Sequence, residues 1–214
     1  YIDANGTFSN DIQEINNVIN DQNISRVSKC LDSIVGKSRS FANIVSECNF
    51  PISAGLASSS SSFSALVVAV NGAIGRKYDT QLLASQAGSA SGSAARSMLG
   101  GIVELKNTQT DIQIRQLSSI ERWPLRVVIA ITSKEKKSIS SSKAMRLSAN
   151  SSPFYSAWIN NQEADMSEGR LAIENRDFER LATVSEHNCL KMHSVMWTTR
   201  PSVIYWLSLI HISE

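Results

Sequence analysis

Cysteine is scarce: the 214 residues hold only Cys30, Cys48 and Cys189, and no two of them stand in a C-x-x-C spacing. That usage excludes a disulfide framework and a zinc site, and fits reduced thiols in a cytosolic protein. Charge of either sign is also short of an excess. The net charge is +2, and the charged residues, 19% of the chain, are scattered. No large field is available, so nucleic acid is excluded as an implied partner. No apolar run reaches the length of a membrane span, so a membrane partner is not expected either. Residues 125–131 have the length and content of a strand buried on both faces. The opening Tyr1-Ile2-Asp3-Ala4-Asn5-Gly6 has no basic region ahead of an apolar stretch and is not a signal peptide. It also lacks methionine and opens mid-pattern, which suggests truncation. There is no internal repeat.

Hydrophobic residues make up 42% of the chain, enough for one large domain or two small ones. Ile12, Ile15 and Ile19, then Val27, Leu31 and Ile34, recur at roughly helical intervals, with Gly36 as a stop. Residues 40–50 read as a strand around Phe41, Ile44 and Val45. After a Gly/Ser-rich loop at 51–62, Phe63, Leu66, Val67, Val70 and Ile74 share one helical face. A second small-residue segment, 87–101, leads into a strand at Ile102, Val103, Glu104 and Leu105. From Ser138 the pattern is mostly helical, with apolar stripes at Met145 and Leu147, at Phe154, Trp158 and Ile159, and from 171 to 190. This irregular order argues α+β rather than a βαβ repeat.

The chemistry concentrates in Pro51-Ile52-Ser53-Ala54-Gly55-Leu56-Ala57-Ser58-Ser59-Ser60-Ser61-Ser62. A strand, a glycine and a run of small residues opening an amphipathic helix can cradle a phosphate. Gly55 allows close backbone approach. The unpaired N–H groups and the dipole of the first helical turn favour an anion. Serine hydroxyls can add bonds to phosphate or to Mg²⁺. The plainer reading is a helix capped by Ser58 or Ser59. A Walker A loop is excluded, because no Gly-Lys-Ser/Thr follows.

This segment resembles the P-x-x-x-G-L-A-S-S phosphate loop of the GHMP kinase superfamily, and most closely its diphosphomevalonate decarboxylase branch. Pro51, Ala54, Gly55, Leu56, Ala57, Ser58 and Ser59 match; Ile52, Ser53, Ser60 and Ser61 depart. Ser91-Gly92-Ser93-Ala94-Ala95-Arg96-Ser97, with Gly100-Gly101, is similar to the branch's G-S-G-S-A-x-R-S-x-x-G-G signature, Ala90 standing for its first glycine. An arginine presents a planar fork that fits a carboxylate or diphosphate bidentately; alone, Arg96 would read as half of a surface ion pair. Met145-Arg146-Leu147-Ser148 with Asn150-Ser151-Ser152-Pro153-Phe154, and Asn188-Cys189-Leu190-Lys191-Met192-His193, extend the match in the family's order. Ser152 is also readable as a helix cap, and His193 as a structural histidine. Cys48 stands where relatives carry asparagine, which puts one nucleotide contact in doubt.

The resemblance implies a GHMP kinase-like two-domain α+β fold, truncated at both termini, with residues 1–122 in the ATP-binding domain and 123–206 in the C-terminal domain. It implies ATP with Mg²⁺, mevalonate 5-diphosphate as substrate, and a homodimer when full length. Ala54, Gly55, Leu56, Ala57, Ser58, Ser59 and Ser60 would hold the nucleotide. Ser91, Gly92, Ser93, Arg96 and Ser152 would hold the substrate, with Arg96 and Ser59 taking part in the chemistry. The family's terminal M-D-A-G-P-N segment with its presumed basic aspartate has no match, and Asp165 and Asp177 stand in the wrong context, so the chain alone is expected to be inactive. Leu207-Ser208-Leu209-Ile210-His211-Ile212-Ser213-Glu214 resembles the translation of a sequencing-library adapter; the other reading is an apolar terminal strand. A monophosphomevalonate decarboxylase, a mevalonate 3-kinase-like relative and a non-catalytic binding module stay open as alternatives.

Overall fold

The computed structural model describes residues 2–3, 10–16, 18–19, 24–52, 56–77, 79–108, 111–129 and 139–205. The chain divides into two compact units, Tyr1–Lys136 and Lys137–Glu214. The tail at 207–214 lies outside the described residues.

In the first unit, β1 (Ile2–Asp3), β2 (Ile12–Ile15), β3 (Val18–Ile19) and β4 (Asn43–Ser46) form one sheet in the order β1-β4-β2-β3. β2 runs parallel to β4, and the other pairs are antiparallel. A parallel pair needs a crossover, supplied here by α1 (Ile24–Val35), which buries Val27, Cys30, Leu31 and Ile34. Gly36 ends it at φ +108°, its N–H bonding the Asp32 carbonyl. The helical spacing read from Ile12, Ile15 and Ile19 therefore fails. Those β-branched residues lie in a β2–β3 hairpin, because Asn16 turns the chain at φ 50° and the β4 ladder takes the backbone bonds of β2.

α2 (Ser58–Ala73) brings Phe63, Leu66, Val67 and Val70 onto α1 and β4, and Ile74 packs at the edge, as the sequence pattern requires. α3 (Thr80–Ala90) and a 3₁₀ turn (Gly92–Met98) complete this core with Ala87 and Ala94. A hairpin of β5 (Ile102–Asn107) and β6 (Ile112–Ser118) forms a second sheet; β6 has no counterpart in the pattern read above. The buried strand expected at 125–131 is not observed. Residues 125–129 have no regular structure, Val127 and Val128 are 85% and 94% exposed, and 130–131 are outside the described residues. No described strand offers this run a ladder, and without one an apolar segment cannot form a strand.

A charge pair is buried in this unit. Arg39 Nη1 and Nη2 donate to Asp11 Oδ1 and Oδ2 at 2.7 and 2.5 Å, Arg39 Nε donates to Asp32, and the Ala42 N–H donates to Asp11. Burial alone would raise the Asp11 carboxyl, but hydrogen bonds from Arg39, Ser28 and Ala42 outweigh it and hold the group below its ordinary value. The folded pKa is depressed, so this stabilisation is complete above the ordinary carboxylate range and is lost as pH falls through the lowered value. Asp11→Asn should cost roughly 3 kcal/mol at pH 7, since the buried Arg39 guanidinium loses its bidentate charged partner and keeps only the part-exposed Asp32. Urea unfolding of both proteins from pH 7 to pH 3 checks this. The gap should shrink on acidification, and a gap independent of pH would contradict it.

The second unit is helical, as expected: α4 (Ser141–Ser151), α5 (Tyr155–Asn160), α6 (Gln162–Asn175) and α7 (Phe178–Trp197). Ser140 caps α4 and Asp177 caps α7 through the Lys143 and Arg180 N–H groups. Ala144, Met196 and Val203 form a small core with Ile139, Met192 and Tyr205. Met145, Phe154, Ile159, Leu171 and Leu190 are exposed instead of buried. The buried stripe runs through Ala172, Ile173, His193, Val195 and Met196 and is narrower than the apolar pattern, so the outer edge of that pattern stays in water.

Candidate active site

α2 begins without a side-chain cap. Its N-cap is Ala57, in the left-handed region at φ 55°, ψ 36°, and no side chain supplies the capping bond. A methyl group cannot accept a hydrogen bond, so the Ser58 or Ser59 capping alternative is not what the helix uses. Ser59 is exposed at the second helical position, and Ser60 is buried one residue later. Ala54 and Gly55 lie outside the described residues. The strand leading in is held by Asn16, whose side-chain amide accepts from the Cys48 N–H at 2.7 Å and donates to the Cys48 carbonyl at 3.2 Å. The Cys48 thiol in turn donates to the Phe50 carbonyl.

The second motif sits on the 3₁₀ turn. Three residues per turn place i and i+3 on one edge, so Ser93 and Arg96 share a side while Ala94 and Ala95 are fully buried behind them. Two glycines make this fit possible. A Cβ on Gly88 would lie 2.6 Å from Ile112 Cδ1 and 3.1 Å from the Ala95 methyl, so α3 packs closely against β6 and the turn. Gly101 sits at φ +75°, and a Cβ there would come 2.1 Å from the Ser118 carbonyl oxygen.

The start of α2 and the 3₁₀ turn face a common cavity of about 540 Å³. Leu56, Ala57 and Ser60 line it from one side, Ser93, Arg96 and Ser97 from the other, and Phe50, Gly101 and Val103 contribute between them. Five residues singled out in the sequence are thereby brought together: Leu56, Ala57, Ser60, Ser93 and Arg96. Ser58, Ser59, Ser91 and Gly92 are not in its wall. Arg96 is exposed, and among the described residues no carboxylate pairs with it, so its fork is not spent on a surface ion pair. Ser152 belongs to the second unit, where it is the C-cap residue of α4. Its Oγ lies 2.7 Å from Thr198 Oγ1 and accepts from the Phe154 N–H, while the N-cap of α5 is Phe154 itself.

Two residues of this neighbourhood carried no sequence signal. Arg26 of α1 stacks over the Phe63 ring at 4.9 Å and donates to the Ala90 carbonyl at 2.8 Å, bringing a second guanidinium to the Ser91 end of the motif. Ser64 of α2 is buried and donates toward both Ser60 and Ala94 carbonyls. Both contacts are tertiary, joining segments far apart in sequence. Two carboxylates that the sequence analysis weighed, Asp165 and Asp177, have partners within the second unit. The Asp165 carboxyl is held below its ordinary value by hydrogen bonds from Lys191 and Asn188, and Asp177 is a helix cap. His193 is buried, and burial lowers its pKa, in keeping with a structural role. Among the described residues no group of three or more His, Cys, Asp or Glu converges on a metal position.

Over residues 1–119 the sequence matches the diphosphomevalonate decarboxylase-like N-terminal domain. The chain belongs to the diphosphomevalonate decarboxylase family. Residues 127–211 match the family's second part, the mevalonate 5-diphosphate decarboxylase C-terminal domain. The diphosphomevalonate decarboxylase of Schizosaccharomyces pombe is 34% identical over 174 residues, covering 76% of this chain and 43% of that protein. The human diphosphomevalonate decarboxylase is 33% identical over 169 residues, covering 76% and 42%. The chain thus spans less than half the length of these curated relatives. Mevalonate diphosphate decarboxylase from Staphylococcus aureus superposes with a TM-score of 0.85 at 27% identity, over 99% of this chain and 66% of that one. A structure described as MDDEF in complex with MVAPP, AMPPCP and magnesium gives 0.84 at 28%, over 97% and 65%. The GHMP kinase-type fold expected from the two motifs is therefore the fold observed.

Proposed function

We propose that this protein is an ATP-dependent decarboxylase of mevalonate 5-diphosphate, yielding isopentenyl diphosphate in the isoprenoid pathway. The observation that carries the reading is a cavity onto which both the uncapped start of α2 and the guanidinium of Arg96, without a carboxylate partner among the described residues, open. The helix start suits the phosphates of ATP. Arg96 suits the substrate carboxylate, and Ser93 on the same edge of the turn lies beside it. Substrate and nucleotide held on two walls of one cleft are placed for transfer of the γ-phosphoryl group to the tertiary hydroxyl. The C–O bond to that phosphate then breaks with its electron pair leaving on phosphate, and the C–C bond to the carboxylate breaks to give CO₂, its pair forming the C=C bond of the product. For Ser152, in the second unit, only the family resemblance supports a role toward the substrate diphosphate.

The chain's own donors near the loop are hydroxyls, Ser60 and Ser61 in the cavity wall among them, which suits a hard, oxygen-seeking Mg²⁺ that takes most of its shell from phosphates and water. When bound, Mg²⁺ would offset charge on the transferring group. No described helix is long and apolar enough to cross a membrane, and with three unpaired thiols the reading places the protein in the cytoplasm.

The test is CO₂ release by the full-length protein with ATP and, in parallel, mevalonate, its 5-phosphate and its 5-diphosphate. The diphosphate should be preferred. Preference for the monophosphate would replace the substrate, and ATP hydrolysis on mevalonate without CO₂ would replace the reaction. Ser59 stands next to the lining residue Ser60 and outside the cavity wall, so Ser59→Ala tests the sequence expectation directly: if its hydroxyl donates to the transferring phosphate, turnover falls about tenfold or more. Its melting temperature should not change, because Ser59 does not cap α2. A lowered melting temperature with unchanged turnover would give Ser59 back to the helix.

A further inference from the structure

One buried polar contact joins the two walls of the cavity, and it belongs to neither motif. Ser64 stands one turn beyond Ser60 on α2 and is 8% exposed. Its Oγ is 2.7 Å from the Ser60 carbonyl oxygen and 2.9 Å from the Ala94 carbonyl oxygen. A hydroxyl has one proton to give, so the two carbonyls share it. The contact to Ser60 is the usual back-bond of a helical serine. The contact to Ala94 is different, since it crosses to the 3₁₀ turn, 30 residues along the chain. The surroundings are apolar: Val67, Ala94 and Ala95 are each fully buried, so water is not at hand to replace a lost donor. One acceptor belongs to the cavity wall and the other stands directly behind it. Ser60 is itself a lining residue, and Ala94 lies between the lining residues Ser93 and Arg96.

We propose that Ser64 is a positioning residue, whose shared proton sets the spacing between the phosphate-loop helix and the Arg96 turn. The inference rests on reading the cavity as the joint site of nucleotide and acid substrate. Each wall can bind its own ligand without Ser64. What the contact adds is the registry of one ligand against the other, and a misplacement of about 1 Å between reacting groups is costly. Ser64 itself is not among the residues that line the cavity.

The test uses the full-length protein with Ser64→Ala and Ser64→Thr; threonine keeps a hydroxyl able to bond the i−4 carbonyl of a helix. In Ser64→Ala, kcat for CO₂ release should fall about tenfold, the scale of a modest misplacement, while the separately measured Kd values of ATP and of mevalonate 5-diphosphate stay within about twofold. Ser64→Thr should recover most of the rate. Amide hydrogen exchange should quicken over residues 92–98 in the alanine variant and stay unchanged over α1. Wild-type kcat in Ser64→Ala, or a rate loss that threonine does not recover, would overturn the proposal. If the unmutated protein releases no CO₂, the reading of the cavity fails by itself. The exchange comparison then still decides: faster exchange confined to 92–98 supports the positioning role, and unchanged exchange there ends it.

Discussion

Arg96→Lys should lower CO₂ release from mevalonate 5-diphosphate by about 10²-fold, close to what removal of a charge-assisted bidentate contact costs, roughly 1.5–3 kcal/mol. Lysine keeps the charge but not the fork. The fold should not notice the change. Arg96 is exposed, has no carboxylate partner among the described residues, and lies on a turn whose burial rests on Ala94 and Ala95. Steady-state kinetics beside a melting curve separates the two effects. A Lys variant with near-normal turnover would remove Arg96 from the substrate site, and one that melts early would make the residue structural.

The largest effect on stability is expected from Gly101→Ala. The new methyl would meet the Ser118 carbonyl oxygen at 2.1 Å, and φ +75° is itself unfavourable for a side chain. The clash is with backbone, so no side chain can swing aside. The end of the β5–β6 ladder, where Ile102 pairs with Ser118, must open. Strain of the left-handed backbone and overpacking together come to about 3–5 kcal/mol. The melting temperature should fall by about 8 °C or more. Gly100→Ala is the control, since its nearest neighbour would be Ile120 Cδ1 at 3.9 Å, an ordinary contact. Equal melting of the two variants would mean that the turn is not held as described.

What the sequence made legible was local. Phe63, Leu66, Val67 and Val70 declared their helix because its period is set by one buried face. The small residues of 51–62 and 91–101 marked two candidate ligand loops, and described residues of both line one cavity. Elements whose form depends on a distant partner were not legible. Ile12, Ile15 and Ile19 look helical until β4 is present to pair with β2, and residues 125–129 look like a strand until one asks what they would pair with. β6 follows a polar turn closed by Thr108 and Asp111; its Ile112-Gln113-Ile114-Arg115 does alternate as a strand should, but the alternation is short and breaks at Gln116, and it was passed over. Arg26 and Ser64 were missed for the same reason. Each acts across more than 25 residues of chain, on carbonyls that no spacing rule marks.

The claim that loop and arginine serve one reaction is tested most directly by the ratio of products. The full-length protein would be incubated with ATP, Mg²⁺ and mevalonate 5-diphosphate, and ADP and CO₂ counted in the same sample over time. The account predicts equal amounts of the two throughout, with neither formed when ATP or the substrate is withheld. ADP accumulating without CO₂ would show a phosphoryl transfer that Arg96 does not carry on to decarboxylation, and the absence of both would leave a binding protein in place of an enzyme.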